Sequence, residues 1–351
     1  MKKLKNKVWR DRHARIKGQK EVCRRRRYGY DQSHIGKPHY LGVLQSTKGK
    51  RKLAHNVARG KRRIMIAPTN FSLYQNPGET LEYIESVKSV VMNNMPVKIE
   101  MKSIEVLSID TIMYFLAVLK RLRFYGVSYS CGGDLPDNEK CKYLLRASGF
   151  LSHVNTRNPN ADLTHESDVV RIISGKYSEP KTVKKLCDFV ISKLNFTRIG
   201  TMDLYIMIME LMSNTRDHAY ININKYHMLT DWYVFVYCLE DKKAIRFIFL
   251  DTGDGIPATI RKKLLEPTKT FLGLNSHTDY IESALEGIDL RSRSGESYRG
   301  NGLPTINSFH QQGYIKDLTI ISNRGYFGED RQDDLDSGLE GTLFYWEISQ
   351  E

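Results

Sequence analysis

Two apolar, strand-like runs in the second half of the chain lead directly into a carboxylate and two closely spaced glycines. The runs cover residues 232–239 and 244–250, and a short charged turn separates them. The second run is followed by Asp251, Gly253 and Gly255. Glycine has no Cβ and lets the backbone approach a flat ligand closely, while a carboxylate accepts a hydrogen bond from an exocyclic amine. The pattern therefore predicts two strands, the second of which ends at a site suited to an adenine ring.

The motif Gly253-x-Gly255-x-x-Ala258 also resembles the glycine fingerprint of dinucleotide-binding domains. Such a domain needs a helix that begins at the glycines and, about 20 residues later, a strand that ends in an acidic residue. Residues 257–270 are rich in Lys, Pro and Thr and offer no such strand, which disfavours that alternative. The sequence contains no G-x-x-x-x-G-K-[ST] motif, which removes a P-loop.

Residues 202–219 are predicted to form an amphipathic helix before these strands. Glu210, Asn214 and His218 recur at four-residue spacing and so share one face of it. A polar stripe of this kind is often only a solvated face, and its interpretation as a site depends on the motifs that follow.

A second glycine motif, Arg299-Gly300-Asn301-Gly302, precedes another predicted helix, with Pro304 near its first turn. Glycines before the free N–H groups of a helix N-terminus form a site for anions such as phosphate. About forty residues rich in Lys, Ser, Arg and Gly separate the two glycine motifs, which is a composition expected of a mobile lid over phosphates.

Together these motifs resemble the Bergerat-type ATP-binding module shared by gyrase, Hsp90, histidine kinases and MutL. The N box, the G1 box, the G2 box and the final adenine-side threonine of that module are matched, in the family's order, by Glu210-x-x-x-Asn214, Asp251-x-Gly253-x-Gly255, Gly300-x-Gly302 and Gly341-Thr342. The resemblance implies an α/β (α+β) fold, with a two-layer Bergerat sandwich of sheet and helices over residues 182–351.

The resemblance also implies a role for each matching residue. Asn214 would hold the Mg²⁺ that bridges the ATP phosphates, Asp251 would bond the adenine amine, and Glu210 would align and deprotonate the attacking nucleophile. The other residues expected around ATP are Asp217, His218, Gly253, Gly255, Arg299, Gly300, Gly302 and Thr342.

Three functions remain open from the sequence: a slow ATPase that switches by lid closure, a protein Ser/Thr kinase, and a nucleotide-gated nucleic-acid or protein adaptor with little turnover. The run from Glu210 to Tyr220 is similar to the N box of anti-sigma serine kinases, and Glu210 itself favours turnover. A histidine kinase is disfavoured, because residues 182–194 supply one predicted helix without a histidine where a dimerising hairpin with a phosphoacceptor would precede the domain. The sequence leaves a homodimer open.

Residues 62–154 alternate between strand-like and helix-like patterns. The alternation predicts a small α/β domain with a partly parallel sheet. Strands are predicted at residues 64–66, 97–101 and 127–131, and helices at residues 78–93, 110–126 and 137–147.

The order of these elements and the turn Ile109-Asp110-Thr111 resemble a STAS domain, the fold of anti-sigma-factor antagonists. The resemblance implies a protein partner for this domain. Antagonists carry a phosphorylatable Ser where this chain has Ile112 beside Thr111, so a regulated hydroxyl is put in doubt. Asp110 is expected to cap the helix that follows.

Two segments are predicted to lie outside the main elements. Residues 155–181 are polar, apart from an apolar stretch at 169–173, and are expected to form a linker. Residues 329–340 are expected to form an acidic insertion before the last strand.

The positive charge of the chain is concentrated at its start. Residues 1–63 contain 22 of the 54 Lys and Arg residues but only three of the 40 acidic residues. An arm over residues 1–61 is therefore expected to be disordered alone and to bind nucleic acid or an acidic protein. No apolar run approaches the roughly 18 residues that cross a bilayer, so we expect a cytoplasmic protein without a membrane segment.

Overall fold

The computed structural model describes a mixed α/β chain, which confirms the predicted fold class at this level. The described residues are 55–56, 59–60, 62–124, 131–154, 168–194, 198–218, 231–239, 243–263, 273–287 and 302–349, and for 123–124, 198–199, 216–218 and 262–263 only the backbone is described. All of them belong to one compact unit, Leu44–Glu351. Within these residues no helix is both long and apolar enough to cross a membrane.

Short strands and helices alternate in the first part of this unit, as predicted. The strands are β1 (Arg63–Ile66), β2 (Asn70–Phe71), β3 (Val97–Glu100), β4 (Val106–Leu107) and β5 (Cys131–Gly133), and the helices are α1 (Pro77–Met92), α2 (Ile109–Phe124), α3 (Glu139–Ala147) and α4 (Phe150–Val154). The first, third and fifth strands form a parallel sheet in the order β1-β3-β5, and β2 pairs in parallel with β4.

The prediction that Asp110 caps a helix is wrong, because α2 begins at Ile109 and Asp110 is its second residue. The buried carboxylate of Asp110 accepts hydrogen bonds from the Thr111 N–H at 2.5 Å and from the Ser108 hydroxyl. It therefore satisfies donors in the first turn of the helix from within that turn. Thr111 is fully buried, and its hydroxyl accepts a hydrogen bond from the Leu73 N–H at 2.8 Å.

The second part of the unit is an antiparallel sheet with helices. Its strands are β6 (Val169–Gly175), β7 (Trp232–Leu239), β8 (Ala244–Asp251), β9 (Lys316–Phe327) and β10 (Gln332–Ser349), in the order β6-β7-β8-β10-β9. Its helices are α5 (Pro180–Leu194), α6 (Arg198–His218), α7 (Ile256–Lys263), α8 (His277–Glu286) and α9 (Gly302–Gln311).

Two sequence predictions about connecting segments need correction. The predicted linker over residues 155–181 contains β6, an end strand of the five-stranded sheet, whose β-branched residues Val170 and Ile172 are buried. The predicted acidic insertion over residues 329–340 mostly belongs to β10, which pairs with β9. Its buried Leu335 and Leu339 anchor it to the core, although acidic residues surround them.

The five-stranded sheet is covered on both faces. On one face Trp232, Val234 and Val236 of β7 belong to a core shared with α5, α6, α8 and α9. On the other face Tyr233 and Phe235 belong to a core shared with α1 and α2. Because side chains alternate along a strand, each strand contributes to both cores. The described parts of the two predicted domains therefore share a hydrophobic core across the sheet.

Candidate functional site

Three polar side chains lie in a row across neighbouring strands. Thr342 of β10 pairs with Asp251 of β8 on one side and with Ser322 of β9 on the other. The residues two positions away, Phe249 and Ile320, are buried in the core beneath the helices. Since residues at i and i+2 share a face of a strand, the polar row lies on the face of the sheet that α5, α6, α8 and α9 cover.

These three side chains form a hydrogen-bonded network. The Ser322 hydroxyl accepts a hydrogen bond from the Ile256 N–H at 2.8 Å and lies 3.1 Å from the carbonyl of Gly341, to which it can donate. It also lies 2.9 Å from the hydroxyl of Thr342, which in turn hydrogen bonds to Asp251. The network fixes the carboxylate relative to the start of α7 and to the neighbouring strands.

Burial raises the pKa of Asp251 from 3.8 to about 6. The Gly253 N–H, which donates to Oδ1 at 2.8 Å, and the Thr342 hydroxyl act in the opposite direction, as does the charge of Arg121. The nearby Asp254 carboxylate adds to the increase. At neutral pH the group is mainly ionised, so that it can only accept hydrogen bonds.

The two glycines after Asp251 occupy positions without space for a side chain. A Cβ at Gly253 would lie 2.9 Å from the Asp251 carboxylate, and one at Gly255 would lie 2.6 Å from Asn323 Nδ2. Gly255 also has a φ of +85°, which L-residues rarely adopt. Asn323 holds this loop, because its Nδ2 donates to the Asp254 carbonyl at 3.0 Å and its Oδ1 accepts from the Ala258 N–H at 3.2 Å.

Residues Glu210 and Asn214 meet the first turn of α9. A Cβ at Gly302 would lie 2.8 Å from Asn214 Nδ2 and 3.2 Å from Glu210 Oε2. Glycine at the start of α9 therefore allows the carboxylate and the amide of α6 to approach the N-terminus of another helix closely. Four-residue spacing on α6 places both side chains on the same face, as the sequence predicted.

A pocket lies between the polar row of the sheet and the helices α6, α7, α8 and α9. Its lining includes Asn214, Asp251, Gly253, Gly255 and Thr342, all of which the sequence singled out. The residues that sequence reasoning missed are mostly apolar: Leu211, Thr215, Asp254, Ile256, Thr259, Ile260, Ala284, Leu303 and Phe344. A largely apolar lining with a buried carboxylate, Asp251, suits a flat heterocycle that carries an amine.

Some of the predicted site residues do not line this pocket or lie outside the described part of the chain. Glu210 is one helical turn before Asn214 and is adjacent to the lining, not part of it. Arg299 and Gly300 lie outside the described residues. Asp217 and His218 belong to the last turn of α6, but their side chains are not among those described.

Ser322 and Asn323 support the site and were missed by the sequence analysis. Leu318, Ile320 and Ser322 alternate along β9, so Ser322 is a polar residue in a position that the pattern assigns to the core face. Asn323 has a φ of +50°, a conformation that Asn tolerates better than most residues. The sequence signal for Ser322 is that a serine continues the alternation of buried apolar residues along the strand.

No family model matches the sequence. No curated protein matches it significantly either. Among the described residues, no group of three or more His, Cys, Asp or Glu side chains could hold a metal ion by itself. A function must therefore be argued from the pocket and its chemistry.

Proposed function

We propose that this chain binds Mg-ATP in the pocket as a member of the histidine-kinase-like, Bergerat-fold ATPases, and that it hydrolyses ATP or transfers its γ-phosphate as a regulatory switch. One observation carries the proposal. Three segments that are far apart in sequence line one pocket: the first supplies Asn214, the second supplies Asp251, Gly253 and Gly255, and the third supplies Thr342. Their motifs follow the order of that family, and chance would rarely gather all of them around one cavity.

The part of the pocket beside Asp251 and Thr342, called the inner end below, supports recognition of adenine. Asp251 offers a fixed carboxylate acceptor for the exocyclic amine, and Thr342 and Ser322 hold that carboxylate in place. Ile260 and Leu303 are among the apolar residues that would contact the ring faces. Burying these surfaces contributes binding free energy, while the carboxylate provides selectivity for a base with an amine.

The part of the pocket beside Asn214 and the first turn of α9, called the outer end below, supports binding of phosphate and magnesium. Gly302 lets Asn214 and Glu210 approach the first turn of α9, and the free N–H groups of a helix N-terminus favour an anion. The amide of Asn214 lies beside this turn, and its oxygen would be the magnesium ligand. Magnesium commonly takes only one or two protein oxygens together with substrate phosphates and water, so this donor set fits the ion without a cluster of acidic residues. Bound magnesium would neutralise phosphate charge.

The proposed role of Glu210 is in the chemical step. Its carboxylate lies on α6 one turn from Asn214 and close to Gly302. A carboxylate on a rigid helix can orient and deprotonate a nucleophile, which would be water for an ATPase and a partner hydroxyl for a kinase. A binding-only adaptor would not require a base at this position.

We propose that residues 62–154 form a STAS-like domain that binds a protein partner. The parallel β1-β3-β5 sheet with helices supports this assignment. Thr111 is fully buried and bonded to Leu73 N–H, so it is not proposed as a phosphoacceptor. The basic arm over residues 1–61 lies almost entirely outside the described residues, and we propose that it contacts nucleic acid or an acidic protein.

Calorimetric titration with Mg-ATP tests nucleotide binding directly. Asp251→Asn should weaken binding ten- to hundredfold, because an amide can present a donor to the adenine amine and a mismatched buried polar pair costs roughly 1–3 kcal/mol. The matched control is Asp188→Asn, which makes the same change at an exposed carboxylate on α5. Wild-type affinity in Asp251→Asn, or no binding by the unmodified protein, would contradict the proposal.

A further inference from the structure

The paired strand segments that carry Asp251 and Thr342 are bound by a residue of α2. Arg121 donates to the carbonyl of Thr252 at 2.6 Å and forms an ion pair with Glu340. Thr252 follows Asp251 directly, and Glu340 lies two residues before Thr342. One guanidinium therefore joins the end of β8 to the middle of β10 at the inner end of the pocket.

Two further groups, one on α1 and one on α2, also bind Glu340. Lys88 of α1 lies 2.5 Å from its carboxylate, and the Tyr114 hydroxyl of α2 accepts a hydrogen bond from its N–H at 3.1 Å. Burial alone would raise the pKa of Glu340, but the charges of Arg121 and Lys88 hold that pKa below its usual value. The carboxylate thus stays ionised and paired, which makes the contact a fixed one.

The backbone between Glu340 and Thr342 packs directly against the backbone of Asp251. Gly341 has a φ of +111°, and a Cβ there would lie 2.0 Å from the Asp251 carbonyl oxygen. The two strands are therefore in very close contact at this residue. A shift of Glu340 would move Thr342 and, through it, the Asp251 carboxylate.

We propose that Arg121 is a positioning residue of the nucleotide site, which holds the end of β8 against the middle of β10 so that Asp251 and Thr342 face the base. This inference rests on the proposed nucleotide function. It makes the segment over residues 62–154 a structural part of the nucleotide site as well as a surface for a partner. Displacement of α2 would weaken nucleotide binding, and bound nucleotide would stabilise the contact of α2 by the same free energy.

A second effect of Arg121 distinguishes it from a residue that only supports the fold. Its positive charge lowers the pKa of Asp251, whereas Asp254 raises it and burial raises it most. Removing the charge should therefore raise the pH at which nucleotide affinity is half lost through protonation of Asp251. Loss of packing elsewhere would not produce that shift.

The test measures Mg-ATP affinity by calorimetry between about pH 5 and 8 for the full chain and for Arg121→Gln. We expect Arg121→Gln to bind about tenfold more weakly at pH 7.5, as for loss of a charged hydrogen bond, and to show a higher pH midpoint. Lys120→Met is the matched control, since Lys120 neighbours Arg121 on α2 but bonds to Ser174 and lies over the Tyr233 ring. It should retain the affinity and midpoint of the unmodified protein.

The outcomes separate this inference from the function on which it rests. If the unmodified protein does not bind Mg-ATP, the proposed function and this inference are both wrong. If it binds but Arg121→Gln matches it in affinity and midpoint, or if Lys120→Met is affected equally, only the inference is wrong. Should Arg121→Gln fail to fold, Arg121→Lys keeps the charge but lacks the planar fork that reaches two acceptors. Weaker binding with an unchanged midpoint is then expected, and unchanged affinity would overturn the inference.

Discussion

The two ends of the pocket are built in different ways. At the inner end, Asp251, Thr342 and Ser322 come from three neighbouring strands and are linked by hydrogen bonds. At the outer end, Glu210 and Asn214 lie one turn apart on a single helix and meet the start of another at Gly302. The inner end is therefore fixed by long-range strand pairing, and the outer end by local helical spacing. Under the proposed function, the first should determine affinity for the base and the second should determine the chemistry.

The largest expected effect comes from Glu210, at the outer end. Glu210→Ala should leave Mg-ATP affinity close to that of the unmodified protein and lower phosphoryl transfer or hydrolysis by about a hundred- to ten-thousandfold, because a positioned base is lost. Asn214→Ala should lose both binding and turnover, since it removes the proposed magnesium ligand. Calorimetry gives the affinities, and labelled ATP gives the rates.

The labelled product also separates the possible functions. Free phosphate identifies an ATPase, whereas label on a Ser or Thr of a protein identifies a kinase. An adaptor would keep its biological activity in Glu210→Ala and lose it in Asn214→Ala. If Glu210→Ala changes neither turnover nor activity, the division between a binding end and a chemical end fails.

An intermediate effect is expected from pH at the inner end. Because the pKa of Asp251 is raised to about 6, nucleotide affinity should be complete above that pH and fall roughly tenfold per pH unit well below it. The contribution of Asp251 to folding stability should change with pH in the direction opposite to nucleotide affinity. A carboxyl whose pKa is higher in the folded state takes up a proton on folding, so its contribution becomes more favourable as the pH falls from about 6 toward 4.

Asp251→Asn provides the control for both measurements. Its nucleotide affinity should be weak and nearly independent of pH in this range. Relative to the unmodified protein, it should gain stability above pH 6, on the order of 1–3 kcal/mol, and lose that advantage at lower pH in denaturant titrations. Equal pH dependence of affinity in the two proteins would show that Asp251 is not the titrating group.

The same contrast explains what the sequence could and could not predict. The four-residue spacing of Glu210 and Asn214 is a local pattern, and helix geometry places both side chains on one face without further information. Gly253 and Gly255 were also predictable, because glycine next to a strand end indicates a backbone position with little space.

The parts that sequence reasoning missed depend on long-range pairing. Ser322 joins the network only because β9 pairs with β10 in a particular register, which no local pattern specifies. Glu340 was assigned to an acidic insertion, but it pairs with Lys88 and Arg121 of helices more than 200 residues earlier. The strand β6 was assigned to a linker because its short apolar stretch is surrounded by polar residues.

The smallest expected effect comes from Ser322, which supports the inner end without lining the pocket. Its hydroxyl contacts Thr342, the Ile256 N–H and the Gly341 carbonyl, so Ser322→Ala removes a group that holds the Asp251 carboxylate indirectly. Loss of such a hydrogen-bonding group costs about 1 kcal/mol, or roughly fivefold in nucleotide affinity. The turnover rate of bound ATP should stay the same, because the outer end is untouched. Ser192→Ala is the matched control, since that exposed hydroxyl bonds only locally to the Phe189 carbonyl on α5. Calorimetry and single-turnover rates should show a weaker affinity for Ser322→Ala alone, with equal rates at saturation in both variants. If the saturated rate falls instead, the two ends of the pocket are coupled, and the separation of binding from chemistry does not hold.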